Sequence, residues 1–356
     1  MTKLLLLGAG KIGGAITALL ADTGDYAVTV ADSDEAMLEL IPDNEAARES
    51  ADLSDAKSIL ALAQEKDVIV SALPFYLNVS VAETARAVGA HYFDLTEDVE
   101  TTVAVRSIAD NAATAFVPQC GLAPGFVSIV ANDVAGRFES LRDVHMRVGA
   151  LPQYPVNALK YNLTWSTDGL INEYCNPCDA VHDGARVQVM ALEGLEHFSL
   201  DGVRYEAFNT SGGLGTLGDT LEGKVDSLNY KTVRYPGHRD MVKMLVRDLR
   251  LSERRTLFRD LLDTAIPMTK QDVVLIFVTV AGEQEGRLTQ ETYAKKIYNS
   301  EIHGREWSAI QVTTASGICA MVDLLIAGKL PQKGFVRQEQ CHLEDFLGNR
   351  FGRHYA

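Results

Sequence analysis

Basic residues are scarce in this chain: 33 Lys and Arg stand against 48 Asp and Glu over 356 residues, a formal net charge of −15. Binding nucleic acid requires a basic face that neutralises phosphates, so nucleic acid is excluded as the main partner. The acidic balance reads as a solvated surface. A carboxylate-binding site in such a protein must therefore gather its few cations locally. Long apolar runs are missing too. None reaches the about 18 residues of a membrane span, so no membrane partner is expected. The apolar start, Leu4 to Leu7, is too short for a signal peptide and runs straight into glycines. A cytoplasmic protein is the expectation. Cysteine is sparse and odd in number (Cys120, Cys175, Cys178, Cys319 and Cys341), which suits reduced thiols and excludes a disulfide scaffold. Cys175 and Cys178 form a CxxC, but no second pair or nearby histidines complete a zinc site, and Pro177 marks a turn. No metal is expected.

The chain is long enough for two domains, and 47% hydrophobic residues supply their cores. Buried-strand patterns at Lys3–Leu7, Ala27–Val30, Asp67–Leu73, His91–Leu95 and Thr114–Val117 alternate with helical ones. The latter are Ile12–Leu20, Ala36–Leu40, Ser54–Gln64, Val79–Val88 and Ala104–Ala112. That rhythm predicts an α/β fold: an N-terminal Rossmann unit, a doubly wound parallel sheet. After Pro124 the strands lengthen (Val144–Val148, Leu159–Trp165, Val187–Leu192, Val273–Ala281, Thr292–Tyr298), joined by Gly-, Asn- and Asp-bearing turns. They predict a second, α+β domain built on a mostly antiparallel sheet. The helix Ser308–Ala327, capped by Gly328, is expected to return to the first domain. The expected division is 1–125, with 308–356 packing back on it, and 126–307 for substrate binding and dimerisation.

Gly8-Ala9-Gly10-Lys11-Ile12-Gly13 follows a buried strand and opens a helix, the context a dinucleotide fingerprint requires. Gly8 permits the tight turn, Gly10 lets pyrophosphate approach, and Gly13 lets helix and sheet pack closely. The helix N-terminal amides then hold phosphate. Asp32, 24 residues after Gly8, ends the second strand, where a carboxylate accepts ribose hydroxyls and repels a 2′-phosphate. No arginine follows it directly. NAD is favoured, with NADP possible. Asp52 and Ser71 to Leu73 are further cofactor contacts, although Asp52 reads equally as a helix N-terminal acid.

Further along come CGLAPGF at 120–126, NALKYNLTWS at 157–166, NTSGGLGTL at 209–217 and RYPGH at 234–238. With the glycine fingerprint, this ordered series resembles the saccharopine dehydrogenase and lysine 6-dehydrogenase family over nearly the whole chain. The resemblance implies NAD(P)-dependent oxidation of a C–N bond in lysine degradation. It also implies a homodimer formed through the second domain's sheet. Glutamate-forming saccharopine dehydrogenase is the leading expectation and lysine 6-dehydrogenase the alternative; a third branch resembles carboxynorspermidine dehydrogenase. Amine oxidation needs an unprotonated nitrogen and a base that activates water against the imine. Asp94, Glu97 and His238 are the candidates, with helix or turn capping as the other reading of each. Arg234 suits a substrate carboxylate because guanidinium binds it bidentately. Lys160 comes next; Lys231 and Arg147 are further cations that would make the site basic. Tyr161, Trp165 and Tyr235 would line an apolar stem, or belong to an ordinary core. A reading of another class is an NAD-binding redox sensor without turnover, which needs neither base nor clamp.

Overall fold

The structure is a computed structural model that describes residues 1–302 and 304–356. It divides into two compact units. One comprises residues 1–126, 301–305 and 311–356; the other comprises 127–300 and 306–310.

The first unit is built on a seven-stranded parallel sheet. In chain order the strands are β1 (Thr2–Leu7), β2 (Tyr26–Asp32), β3 (Ala47–Ser50), β4 (Val68–Ser71), β5 (His91–Asp94) and β6 (Ala115–Val117). In space they run β6-β5-β4-β1-β2-β3, and the short strand Gly334–Phe335 pairs outside β6. Strand order reverses beside β1, which makes the sheet doubly wound. Leu4 to Leu7 are fully buried, as expected of a strand covered on both faces. β3 (Ala-Arg-Glu-Ser) has no apolar pattern and every residue exposed. Only its pairing with β2 makes it a strand.

The helix Ala309–Ile326 is long and apolar enough, by length and composition, to cross a membrane, and 78% of it is buried inside the fold. Ala315, Ile318, Met321 and Leu325 are fully buried. Gly317 is required there, since a Cβ on it would lie 2.8 Å from the Cys120 carbonyl oxygen. Gly328 closes the helix at φ +73°.

The second unit holds an eight-stranded mixed sheet. Its strands are β7 (Ser140–Pro152), β8 (Cys178–His182), β9 (Ala185–Val189), β10 (Glu196–Leu200), β11 (Val203–Asn209), β12 (Val225–Arg234), β13 (Asp272–Gln284) and β14 (Arg287–Tyr298). They run β10-β11-β12-β7-β13-β14, with β8 and β9 attached to β12. The β12–β7 pair is parallel and the others are antiparallel. Val144, Met146 and Val148 are buried on one face while His145 and Arg147 are half-buried on the other, the two-residue period of a strand.

The expected strand Leu159–Trp165 is not one. The segment is irregular, with a single bridge from Leu163 to Met268. Asn157 closes a turn by donating from its side-chain amide to the Tyr161 carbonyl, and Lys160 adopts φ +51°. Apolar alternation at 159, 161, 163 and 165 imitates a strand, but residues 161 to 164 are all buried, the polar Asn162 and Thr164 included.

Candidate functional site

At the carboxyl edge of the parallel sheet the register aligns Leu7 with Ala31 and Ser71, and Ser71 with Asp94. The strand ends there deliver Gly8, Asp32, Ser71 and Asp94. Gly8 has φ +101°, and a Cβ on it would meet the Ala72 carbonyl oxygen at 2.9 Å. A Cβ on Gly13 would meet the Gly8 oxygen at 1.9 Å, whereas one on Gly10 would find nothing within 4 Å. Gly8 and Gly13 are therefore fixed by packing inside the protein. Gly10 instead faces open space at the start of helix α1 (Lys11–Ala21), where a phosphate has room to approach.

The N-cap of α1 is Gly10, which has no side chain to cap it, and the first turn carries no acid. The amides and the positive helix end are thus suited to an anion. Asp32 is half-buried, and its oxygens accept from the Ala9 and Asp34 amides at 2.6 and 2.9 Å. It both fastens the glycine loop and places a carboxylate where a ribose is read. Lys11 is exposed, Ile12 and Leu73 are half-buried, and Ser71 is buried, donating to Asn78 Oδ1 at 2.6 Å. The loop fits a nicotinamide dinucleotide. Asp52 is exposed and accepts from the Ser54 amide and hydroxyl, so it shapes the turn before the helix Ala56–Ala63. The cap of that helix is Asp55, whose side chain accepts from the Lys57 amide.

Asp94 differs from its expected role as a base. It is fully buried and accepts from Tyr92 Oη (2.7 Å) and from the amides of Thr96 and Gln119 (2.9 Å each). Burial pushes its carboxyl above the usual range, against the pull of these donors. It ties the end of β5 to the segment at Gln119, whose φ is +66°. Glu97 is half-buried just before Asp98, the cap of the helix Val99–Ala109.

In the second unit the fold brings together two stretches distant in sequence, 157–165 and 234–239. Arg234 Nε donates to Tyr174 Oη (3.1 Å), and His238 Nδ1 lies 2.7 Å from the Leu159 carbonyl oxygen. A carbonyl only accepts, so Nδ1 carries the proton. His238 Nε2 then accepts from Tyr174 Oη at 2.9 Å. Burial, and next the Arg234 charge, hold the imidazole down at about 3. His238 is thus a neutral, 1% exposed link with both nitrogens engaged, not a base that water reaches.

Arg234 is likewise internal. It is 3% exposed, donates to the Val233 carbonyl, stands 4.0 Å from Glu173, and has its guanidinium 4.8 Å from the Tyr161 ring centroid. It braces the wall, with Nε and Nη1 both donating inside the protein. Tyr161 is core, and Trp165 packs half-buried against the same cluster. Tyr235 stacks on Tyr205. Lys160 is exposed, and its Nζ reaches the Pro236 carbonyl oxygen at 2.9 Å.

Arg147 and Lys231 belong to another face. Residues of β12 alternate, so Lys231 points away from Arg234, and Glu196 pairs with both Lys231 (3.1 Å) and Arg147. One participant had no sequence signal at all. Glu206, 2% exposed on β11, accepts from the amides of Gly237 (2.8 Å) and Arg239 (2.7 Å), on either side of His238.

Two family models match in succession. The saccharopine dehydrogenase NADP binding domain covers residues 4–117, and the saccharopine dehydrogenase C-terminal domain covers 121–350. The chain belongs to the saccharopine dehydrogenase family. It is accordingly of an oxidoreductase family, with a nicotinamide-nucleotide-binding first unit.

Among solved structures, the chain is similar to apo saccharopine dehydrogenase (L-Glu forming) from Saccharomyces cerevisiae. The TM-score is 0.77 at 16% identity, covering 100% of this chain and 96% of that one. It is also similar to homospermidine synthase from Legionella pneumophila in complex with NAD: TM-score 0.67, 12% identity, 99% and 89% covered. Both likenesses concern the fold. A curated relative, alpha-aminoadipic semialdehyde synthase from Arabidopsis thaliana, is 27% identical over 158 residues; the match takes in 43% of this chain and 15% of that protein's length.

Proposed function

We propose that the chain oxidises the CH–NH bond of a lysine-derived amine with NAD, as a glutamate-forming saccharopine dehydrogenase. The observation that carries this reading is the pair of family domains running through residues 4–350 on a fold of TM-score 0.77 to a protein of that activity. The open face of Gly10 and the N-terminus of α1 hold the pyrophosphate, and Asp32 takes the ribose hydroxyls in preference to a 2′-phosphate. When bound, the nicotinamide supplies the hydride acceptor. The chain's own tasks are to orient the amine and to activate the water that hydrolyses the imine.

Of the three acid–base candidates, Asp94 and His238 are sealed, so Glu97 is assigned the water. Lys160 is assigned a substrate carboxylate. Trp165 flanks the apolar stem. A cytoplasmic homodimer completes the reading.

One observation favours lysine 6-dehydrogenase as a second reading. Saccharopine carries three carboxylates, yet Arg147 and Lys231 are both paired with Glu196, and Arg234 is internal. That leaves Lys160 as the exposed member of these four cations. NADH formation from saccharopine or from free lysine, each with NAD, separates the two. Turnover of saccharopine with little from lysine is expected. Turnover of lysine alone selects the second reading, and none with any amine rejects both in favour of an NAD sensor.

A further inference from the structure

We infer that Glu206 is a positioning residue that holds Lys160 in place through His238. The inference rests on the reading of Lys160 as the carboxylate-binding cation. Glu206 faces Arg234 across the β11–β12 ladder and is buried to 2% exposure. A carboxylate so placed is costly unless donors satisfy it. Here each oxygen takes one backbone amide, Gly237 N at 2.8 Å and Arg239 N at 2.7 Å. These are charge-assisted bonds, stronger than neutral ones.

The two amides bracket His238, and Gly237 supports the turn with φ +99°. The imidazole so placed donates to the Leu159 carbonyl at 2.7 Å. Lys160 crosses back to Pro236 at 2.9 Å, so the two turns are tied at two points. The 157–161 turn has no regular pairing of its own; Asn157 and these cross-ties define it. A glutamine at 206 would direct its NH2 group at one of the two amide donors, and one tie to the His238 turn would be lost.

The test is E206Q in the full chain, with two independent readouts. In steady-state kinetics, KM for the amine rises about tenfold while KM for NAD and kcat hold within about twofold. In a K160M background, E206Q adds no further rise, because the two act through one element. In 15N-histidine NMR, wild-type His238 is a single Nδ1–H tautomer that does not titrate between about pH 5 and about pH 8, whereas in E206Q it becomes mixed or titrates. Where E206Q fails to fold, E206D is read for the same changes in smaller measure.

A folded variant with wild-type His238 signals and an unchanged amine KM overturns the inference. So does an equal fall in both substrates' kinetics, the mark of general damage. If no amine is oxidised even by wild type, the functional reading falls, and the NMR result alone decides whether Glu206 positions the turn.

Discussion

A Cβ on Gly13 would sit 1.9 Å from the carbonyl oxygen of Gly8. Helix α1 and the turn before it therefore approach more closely than any side chain permits. Gly13→Ala is expected to cost about 1–3 kcal/mol of stability through overpacking, seen as a lower Tm. Gly10 is the counterpart, since its Cβ would meet nothing within 4 Å. Gly10→Ala should leave Tm unchanged and weaken dinucleotide binding by at least about tenfold, because the methyl enters the phosphate's space. Melting curves paired with calorimetry separate the two glycines.

His238 should make the protein acid-sensitive. Its imidazole titrates at about 3 in the fold, below the ordinary 6.5. Between those values the unfolded chain binds a proton that the folded one does not. Stability from this group is therefore complete above 6.5 and falls as pH is lowered, by about 2 kcal/mol at about pH 5. Urea unfolding at neutral and acid pH should show that slope in the wild type, and a shallower one in His238→Gln.

Asp272 acts with the opposite sign. Its buried carboxylate accepts the amides of Ala309 and Ile310 at the start of the long helix, and burial pushes its pKa to about 6 from 3.8. The folded state holds the extra proton in that window. The group's contribution thus weakens as pH rises through it, by up to roughly 3 kcal/mol. Asp272→Asn keeps one acceptor oxygen and should flatten that part of the pH profile. An unchanged profile would contradict a raised carboxyl at this position.

Lys160→Met should raise KM for the amine about tenfold and leave NAD affinity intact, the loss of one carboxylate contact. Glu97→Gln should instead lower kcat, by about 100-fold, as expected for removal of a general base. Steady-state kinetics with both substrates varied distinguishes the two.

The parallel sheet and the glycine loop were legible because their signals are local. A four-leucine strand, Gly8, Gly10 and Gly13, and an acid at the end of β2 lie within 32 residues. β3 was not legible, since Ala47 to Ser50 are exposed and polar and only their neighbour makes them a strand. The segment 159–165 showed apolar alternation, but the side chain of Asn157 and the positive φ of Lys160 turn it aside. Arg234 was expected as a carboxylate clamp, and His238 and Asp94 as candidate bases; all three are buried. Sequence does not report burial, and burial is what turns a clamp and two bases into internal braces. Glu206 acts on backbone amides 31 and 33 residues away, a relation no motif spacing expresses.

The central claim is that residues 8–13 and Asp32 form a nicotinamide dinucleotide site that prefers NAD. Calorimetric titration of the wild-type chain with NAD and with NADP tests it most directly. Saturable binding of NAD, at least about tenfold tighter than NADP, is the predicted result. No heat with either nucleotide would contradict the account, and NADP bound more tightly would overturn the assignment of Asp32.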